Sequence, residues 1–282
     1  MNKLGLPLQL FLGGRLAKAD KRGKIHSVDR TIRASHNVAL EARMADLFSE
    51  WRTKAAKRAA AVYGRVKKAE VDDLLDSIID AIDIDGFSVD MIEELTPGIR
   101  RAFKEAGVSA LTEAGFSTAD MVNQLDERAL DYVRAHGADL VTQITETTRM
   151  DLREILADAV EEGPTTAALA STIEDAFAFS KYRSEMIART ELAYAHVGGN
   201  LAGYRESGVV SGKKWIVAQD NVCPECEALD GVVVDLDEEF PDDGGEGPPL
   251  HPNCRCDVVP VLEEEAPTRD EEGPMATEEE AA

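Results

Sequence analysis

The chain has 282 residues, 30% of them charged, and a formal net charge of −23 at pH 7. That length is enough for one large domain or two modest ones with a self-sufficient core, so size alone calls for no covalent staples. No stretch approaches the roughly eighteen consecutive apolar residues of a membrane-spanning helix, which predicts a soluble protein with no membrane partner.

The charge is unevenly spread. Residues 1–70 hold 16 Lys/Arg against 6 Asp/Glu, while the remainder is strongly acidic. Most of the surface should therefore repel nucleic acid, and only the basic N-terminal part is suited to meet DNA or an acidic protein surface. Exposed helix faces would account for the same residues equally well.

Residues 1–27 read as a basic irregular arm, broken by Gly5, Pro7, Gly13 and Gly14. Its apolar stretch Leu4 to Leu12 contains Pro7 and lacks a small-residue cleavage site, so it is not read as a signal peptide. A long helix is expected from a Ser27 cap to about Ala69. Shorter helices follow over Val71 to Ile82 and Ser88 to Lys104, with a kink or break at Pro97 and an end at Gly107. Thr118 to Glu161 reads as a helix that Gly137 interrupts, with Leu140, Ile144, Leu152, Ile155 and Ala159 on one stripe and Thr148 filling its gap. Gly163 and Pro164 stop it. Helices over Thr165 to Ala178 and Lys181 to Ser207 come next, the second with Met186, Ala193, Val197, Leu201 and Tyr204 on one face. Past Gly208 the period changes, and Lys213 to Ala218, Gly231 to Leu236 and Arg255 to Leu262 read as strands. Residues 263–282 carry nine Asp/Glu and one Arg, the composition of an acidic disordered tail.

The expected fold class is α+β: a mostly helical N-terminal two-thirds and a small β-rich metal-binding module at the C-terminal end. That module, residues 213–262, contains all four cysteines of the chain, within the 34 positions from Cys223 to Cys256. A disulfide framework would spread its cysteines and accompany a secretory signal, so metal binding is the better reading. Cys223-Pro-Glu-Cys226 places two thiolates across a tight turn that Pro224 helps to fix. After a 24-residue gap, whose Pro/Gly-rich part Pro241 to Pro249 can reverse the chain, His251-Pro-Asn-Cys254-Arg-Cys256 returns. The candidate ligands are thus Cys223, Cys226, His251, Cys254 and Cys256, five donors for the four positions of a tetrahedral zinc. Cys223, Cys226 and His251 with at least one of the last pair is the preferred set. A full protein shell leaves no open position for water and argues for a structural ion. Zinc deaminases need a His-x-Glu that this chain lacks.

These motifs resemble the phage Mu F-like head morphogenesis family, minor head proteins of tailed bacteriophages and prophages. The resemblance covers about residues 145–262. It rests on Ala188-Arg189-Thr190-Glu191, Tyr204, Gly208-Val209, Trp215, Asp220, the Cys223–Cys226 pair, Gly231, the run His251 to Cys256, and Pro260. It implies a non-enzymatic procapsid component that associates with the portal protein at the portal vertex, neighbours scaffold or major capsid protein, and assists head assembly and in some relatives DNA packaging or delivery. The location implied is the virion, with the host cytoplasm during assembly. Some relatives carry a C-terminal toxin domain; only the acidic tail follows Leu262 here, so that extension is not expected. Residues 28–144 then form a helical attachment region for portal or scaffold.

Two further readings stand beside this one. The basic arm would serve a zinc-stabilised nucleic-acid-binding protein, and an open coordination position with a nearby base would serve a zinc hydrolase. Within the helix Lys181 to Ser207, Arg189 follows Glu185 by four residues, the spacing of a surface ion pair. Arg189 or Glu191 could instead hold the metal loops. Trp215 and Tyr204 read as core aromatics rather than ligand platforms.

Overall fold

The computed structural model describes residues 28–66, 71–116, 121–218 and 221–262. The basic arm, Ser27, Thr118, Asp220 and the acidic tail lie outside the described residues. Among the described residues, seven helices and a small sheet follow in chain order: α1 (Val28–Val66), α2 (Val71–Ile82), α3 (Ile84–Glu113), α4 (Val122–Glu161), α5 (Thr166–Glu174), α6 (Lys181–Ser207), β1 (Val210–Ile216), α7 (Pro224–Ala228), β2 (Val233–Asp235) and β3 (Asp257–Leu262). A 3-10 turn at Phe177–Phe179 links α5 to α6.

Two of the expected breaks are absent. α3 runs unbroken through Pro97 and beyond Gly107. Pro97 lies on the exposed side of the helix, so the backbone acceptor it leaves unpaired can turn to water, while Leu95, Ile99, Ala102 and Phe103 anchor the opposite face. Gly107 is a packing position rather than a stop. The ideal Cβ position of Gly199 on α6 lies 2.1 Å from the Phe103 carbonyl oxygen, and that of Gly203 lies 2.7 Å from the Gly107 carbonyl oxygen. Glycine on both helices lets the two backbones meet. α4 likewise continues through Gly137, since one glycine costs a helix only about 1 kcal/mol.

What does separate α2 from α3 is Asp83, in the left-handed region at φ 65°, whose carboxylate accepts the N–H of Gly86. Arg58 of α1 clamps the junction, donating to the Ile82 carbonyl at 3.0 Å and to Asp83 at 3.2 Å.

The apolar stripe of α4 buries Leu140, Ile144, Thr148, Leu152, Leu156 and Val160, with Ile155 and Ala159 half-buried beside it. Thr148 fills its gap by donating to the Ile144 carbonyl at 2.7 Å. It also accepts from Arg183 at 2.8 Å, whose guanidinium donates onward to the Ala178 carbonyl at 2.9 Å. Burial lowers the pKa of this Arg183, and the negative charge of Asp151 partly offsets that. The three bonds tie α4, the 3-10 turn and α6 together.

α6 differs most from its expected form. Rather than one apolar face it is enclosed on nearly all sides, with Arg183, Glu191, His196 and Asn200 buried among its apolar residues. The reason is position: α6 runs between α3 and α1, touches α4, and meets the sheet at its C-terminal half. Gly208, at φ 62°, ends it in a left-handed cap.

The sheet is antiparallel with strand order β2-β1-β3. β1 starts three residues before its expected position, and a register shift between Val210 and Gly212 interrupts its pairing with β3. A second apolar core lies here, in which Val197, Leu201 and Tyr204 of α6 pack with Trp215, Phe240 and Val258 around Cys226, Cys254 and Cys256. Trp215 is wholly buried and meets Phe240 edge-on with centroids 5.2 Å apart, while the Tyr204 hydroxyl donates to the Val258 carbonyl. Both aromatics are core residues.

Candidate metal centre

The sulfurs and the imidazole converge because three short segments return to one end of the sheet. Cys223 follows β1 and caps α7 with its own sulfur, which accepts the N–H of Cys226 at 3.3 Å. Pro224 occupies the first turn of that helix, where its missing N–H would be unpaired in any case. The Cys-x-x-Cys segment is therefore a helical first turn, where the sequence suggested an isolated tight turn.

The second segment is reversed by the loop Pro241 to Pro249, pinned by the Phe240–Gly245 bridge. His251 returns with its Nε2 at 3.2 Å from the Cys223 sulfur and 3.5 Å from that of Cys226. Its other ring nitrogen, Nδ1, lies 2.9 Å from the Pro252 carbonyl. A carbonyl can only accept, so Nδ1 carries a proton, and in the neutral ring Nε2 then presents a lone pair to the sulfurs, as a metal-ligating imidazole must. The Cys254 N–H donates to the His251 carbonyl at 3.1 Å, and the Cys254 sulfur sits 3.7 Å from that of Cys226.

All five sequence-derived donors are thus near one another, in two triplets. Cys223, Cys226 and His251 form one; Cys226, Cys254 and Cys256 form the other. All four cysteines are free thiols, and all but Cys223 are buried. Zinc bonds of about 2.3 Å to sulfur and 2.0–2.1 Å to nitrogen imply tetrahedral edges of about 3.8 Å between sulfurs and about 3.5 Å between sulfur and nitrogen. The separations of 3.2, 3.5 and 3.7 Å match that geometry. The chemistry of the donor set, soft thiolates with an imidazole, suits zinc or another thiophilic ion.

Electrostatics divide the thiols. The Cys226 N–H lowers the pKa of Cys223. The Cys256 thiol, with backbone N–H groups, holds Cys254 down to about 5. Burial raises Cys226 to about 12, and its hydrogen bond to Cys254 raises Cys256. The Pro252 carbonyl raises His251. The metal-free cluster therefore keeps protons on some of its donors, and an ion entering it must displace them.

The helix support differs from the expectation in detail. Arg189 pairs with Glu185 at 3.6 Å but more closely with Glu41 of α1 at 2.7 Å, away from the metal loops. Glu191 does turn inward, onto His136 of α4 at 2.6 Å. The residue between them reaches the loop: Thr190 Oγ1 accepts the Asn253 N–H at 3.1 Å and donates to the Met186 carbonyl at 2.8 Å. Asn253 holds a left-handed conformation at φ 61°, an Asn-tolerant geometry. Its position between Pro252 and Cys254 was the available signal. Lys213 also escaped the sequence reading. It is fully buried on β1 with its ammonium 5.4 Å from the Phe240 ring centroid, and burial lowers its pKa.

The profile of the phage Mu protein F like family matches residues 150–259, from the middle of α4 into β3, and so takes in α6 and all five donors. Residues 150–259 are similar to the phage Mu protein F like family. A curated relative, the uncharacterized protein YqbB of Bacillus subtilis (strain 168), is 23% identical over 194 residues, which cover 63% of this chain and 64% of the relative. The alignment thus spans less than two-thirds of either protein. No solved structure matches. The matched segment begins inside α4, yet the neighbour that packs most extensively on its central helix α6 is α3, upstream of it. Among the described residues no helix is long and apolar enough to cross a membrane.

Proposed function

We propose that this chain is a minor head protein of a tailed phage or prophage, associated with the portal vertex and assisting procapsid assembly. The observation that carries this is the family match over residues 150–259, a segment that includes the ordered run from Ala188 to Cys256. The protein acts by binding rather than catalysis. Its helices α1 to α3 serve as the attachment surface for portal, scaffold or major capsid protein, and its location is the assembling head and the virion.

In this reading the ion is a zinc with a structural role. It ties β1, α7 and the loop ahead of β3 together, around a second core that is much smaller than that of the helices. Because the assembled donor set exists only in the folded chain, binding free energy becomes folding free energy. Purified procapsids of the parent phage should contain this polypeptide by mass spectrometry, and it should co-purify with the portal protein. Procapsids that assemble normally without it would overturn the proposal.

A second reading has its own observation, the 16 Lys/Arg against 6 Asp/Glu in residues 1–70. The arm then contributes DNA contact during packaging or delivery. Electrostatic binding of duplex DNA by the full chain, weakening steeply with salt and lost on removal of residues 1–27, is the expected result. DNA binding absent at low salt would reject it.

A further inference from the structure

The segment from Asp237 to Gly247 crosses β1 as a strap. Beneath it, Lys213 and Trp215 stand two residues apart on the central strand and so share one face of the sheet. Both side chains are wholly buried. Both also meet the Phe240 ring of the strap, Lys213 with its ammonium 5.4 Å from the centroid and Trp215 edge-on with centroids 5.2 Å apart. Neither Lys213 Nζ nor Trp215 Nε1 finds an acceptor among the described residues. A buried donor without a partner opposes the arrangement that buries it, a charged one most of all. The cation–π contact with Phe240 offsets part of that opposition.

The strap also resists its own closure. Residues 235–246 hold seven Asp/Glu and no Lys or Arg. Five of these, Asp235, Glu238, Glu239, Asp242 and Asp243, are exposed side by side, so like charges crowd one short segment. Arg205, near the end of α6, holds both ends of it. Its guanidinium donates to Asp237 at 2.9 Å and to Glu246 at 3.3 Å. The two carboxylates are 83% and 64% exposed, so each ion pair is weak. Within the strap the Phe240 N–H donates to the Gly245 carbonyl at 2.8 Å and the Gly244 N–H to the Pro241 carbonyl at 3.1 Å. These bonds are local, which lets the segment move as a unit.

We infer that residues 237–247 form a strap that opens over Lys213 while the helices and the sheet stay folded, with Arg205 as the pin that holds it shut. Opening returns the Lys213 ammonium and the Trp215 indole N–H to water and lets the carboxylates spread, so the strap lies at the low end of local stability. It leads through Pro248 and Pro249 into the loop that carries His251, and opening slackens that loop.

The test combines amide hydrogen exchange with acylation of lysines by an amine-reactive ester, both read by mass spectrometry on the folded full chain. In the wild type Lys213 should label far more slowly than Lys181, whose side chain is 77% exposed. Arg205→Gln should speed Lys213 labelling and exchange across residues 237–247 severalfold, up to about tenfold, with exchange in β3 and α3 unchanged. Lys213→Met removes the unpartnered charge and should slow exchange across the strap, whereas loss of an ordinary packing residue would hasten it. Should Arg205→Gln fail to fold, Asp237→Asn combined with Glu246→Gln breaks the same two pairs from the strap side. Unchanged exchange once the pairs are lost, acceleration that spreads through β3 and α3, or faster strap exchange in Lys213→Met overturns the inference.

Discussion

The backbone N–H of Asn253, in the loop that carries His251 and Cys254, donates to the hydroxyl of Thr190 in the middle of α6 at 3.1 Å. Sixty-three positions apart in sequence, these two groups couple the candidate metal centre to the central helix of the bundle. Thr190 is itself buried at 8% exposure, while Asn253 is half-buried. Replacing Thr190 with Val keeps the shape and removes the acceptor, leaving the Asn253 N–H unpaired. The expected cost is about 1–3 kcal/mol of stability, with metal affinity reduced about tenfold or more because the loop loses its support. Chemical denaturation and competitive chelator titration check the two effects separately.

The α3–α6 crossing gives a sharper contrast between two glycines. At Gly199 a Cβ would meet the Phe103 carbonyl at 2.1 Å, whereas at Gly137 it would meet nothing within 4 Å. Gly199→Ala must push two helix backbones apart and should cost about 3 kcal/mol or more. Gly137→Ala, in a helix that already passes through that position, should stabilise by about 0.5–1 kcal/mol. Thermal unfolding of the two variants should shift in opposite directions.

Much of this architecture was open to sequence reasoning, for reasons tied to particular residues. α2 and α6 emerged with their bounds because an acidic start, apolar periodicity and Gly208 are local signals. The five candidate donors could be picked out because soft ligands are rare and their spacing is chemical, and the structure gathers them into two triplets. Pro97 and Gly107 misled because helix breakers are judged on the isolated chain, where the exposed side of α3 and the approach of α6 are unknown. Thr190 was passed over for its charged neighbours Arg189 and Glu191, since charge is visible in a sequence whereas a long-range hydroxyl–amide bond is a product of folding. The burial of Lys213 is likewise set by the loop folded over it.

Metal affinity should depend on pH with a definite sign. The Pro252 carbonyl raises the pKa of His251, and burial holds Cys226 protonated up to about 12. Protons therefore compete with the ion for both donors. Affinity should rise with pH and fall on acidification as His251 becomes protonated, from somewhat above the ordinary histidine range downward. Near neutral pH binding should release on the order of two protons. Calorimetry in buffers of different ionisation enthalpy measures that release directly; a binding enthalpy independent of buffer would contradict it.

The segment similar to the phage Mu protein F like family should not stand alone. Its central helix α6 packs on α3 and α1, and Leu192, Ala195 and Ala202 lie in the core cluster that those helices share. A fragment of residues 145–262 is expected to be aggregated or molten, exposing the α6 face that α3 covers in the full chain. Near-UV circular dichroism and dye binding of the fragment, compared with residues 28–262, check this. A fragment with native-like near-UV signal would show that α1 to α3 are dispensable for its fold.

The central claim is that a thiophilic ion held by the cysteine and histidine cluster folds the C-terminal end of this protein. Its most direct test is to measure metal content and thermal unfolding on the same sample of full-length protein, before and after chelation under reducing conditions. The account predicts bound zinc or a similar ion before treatment, its loss on chelation, and a lower melting temperature, by roughly 2–4 °C for each kcal/mol withdrawn. Protein purified without any such ion, with unfolding unchanged by added zinc or by chelator, would contradict it.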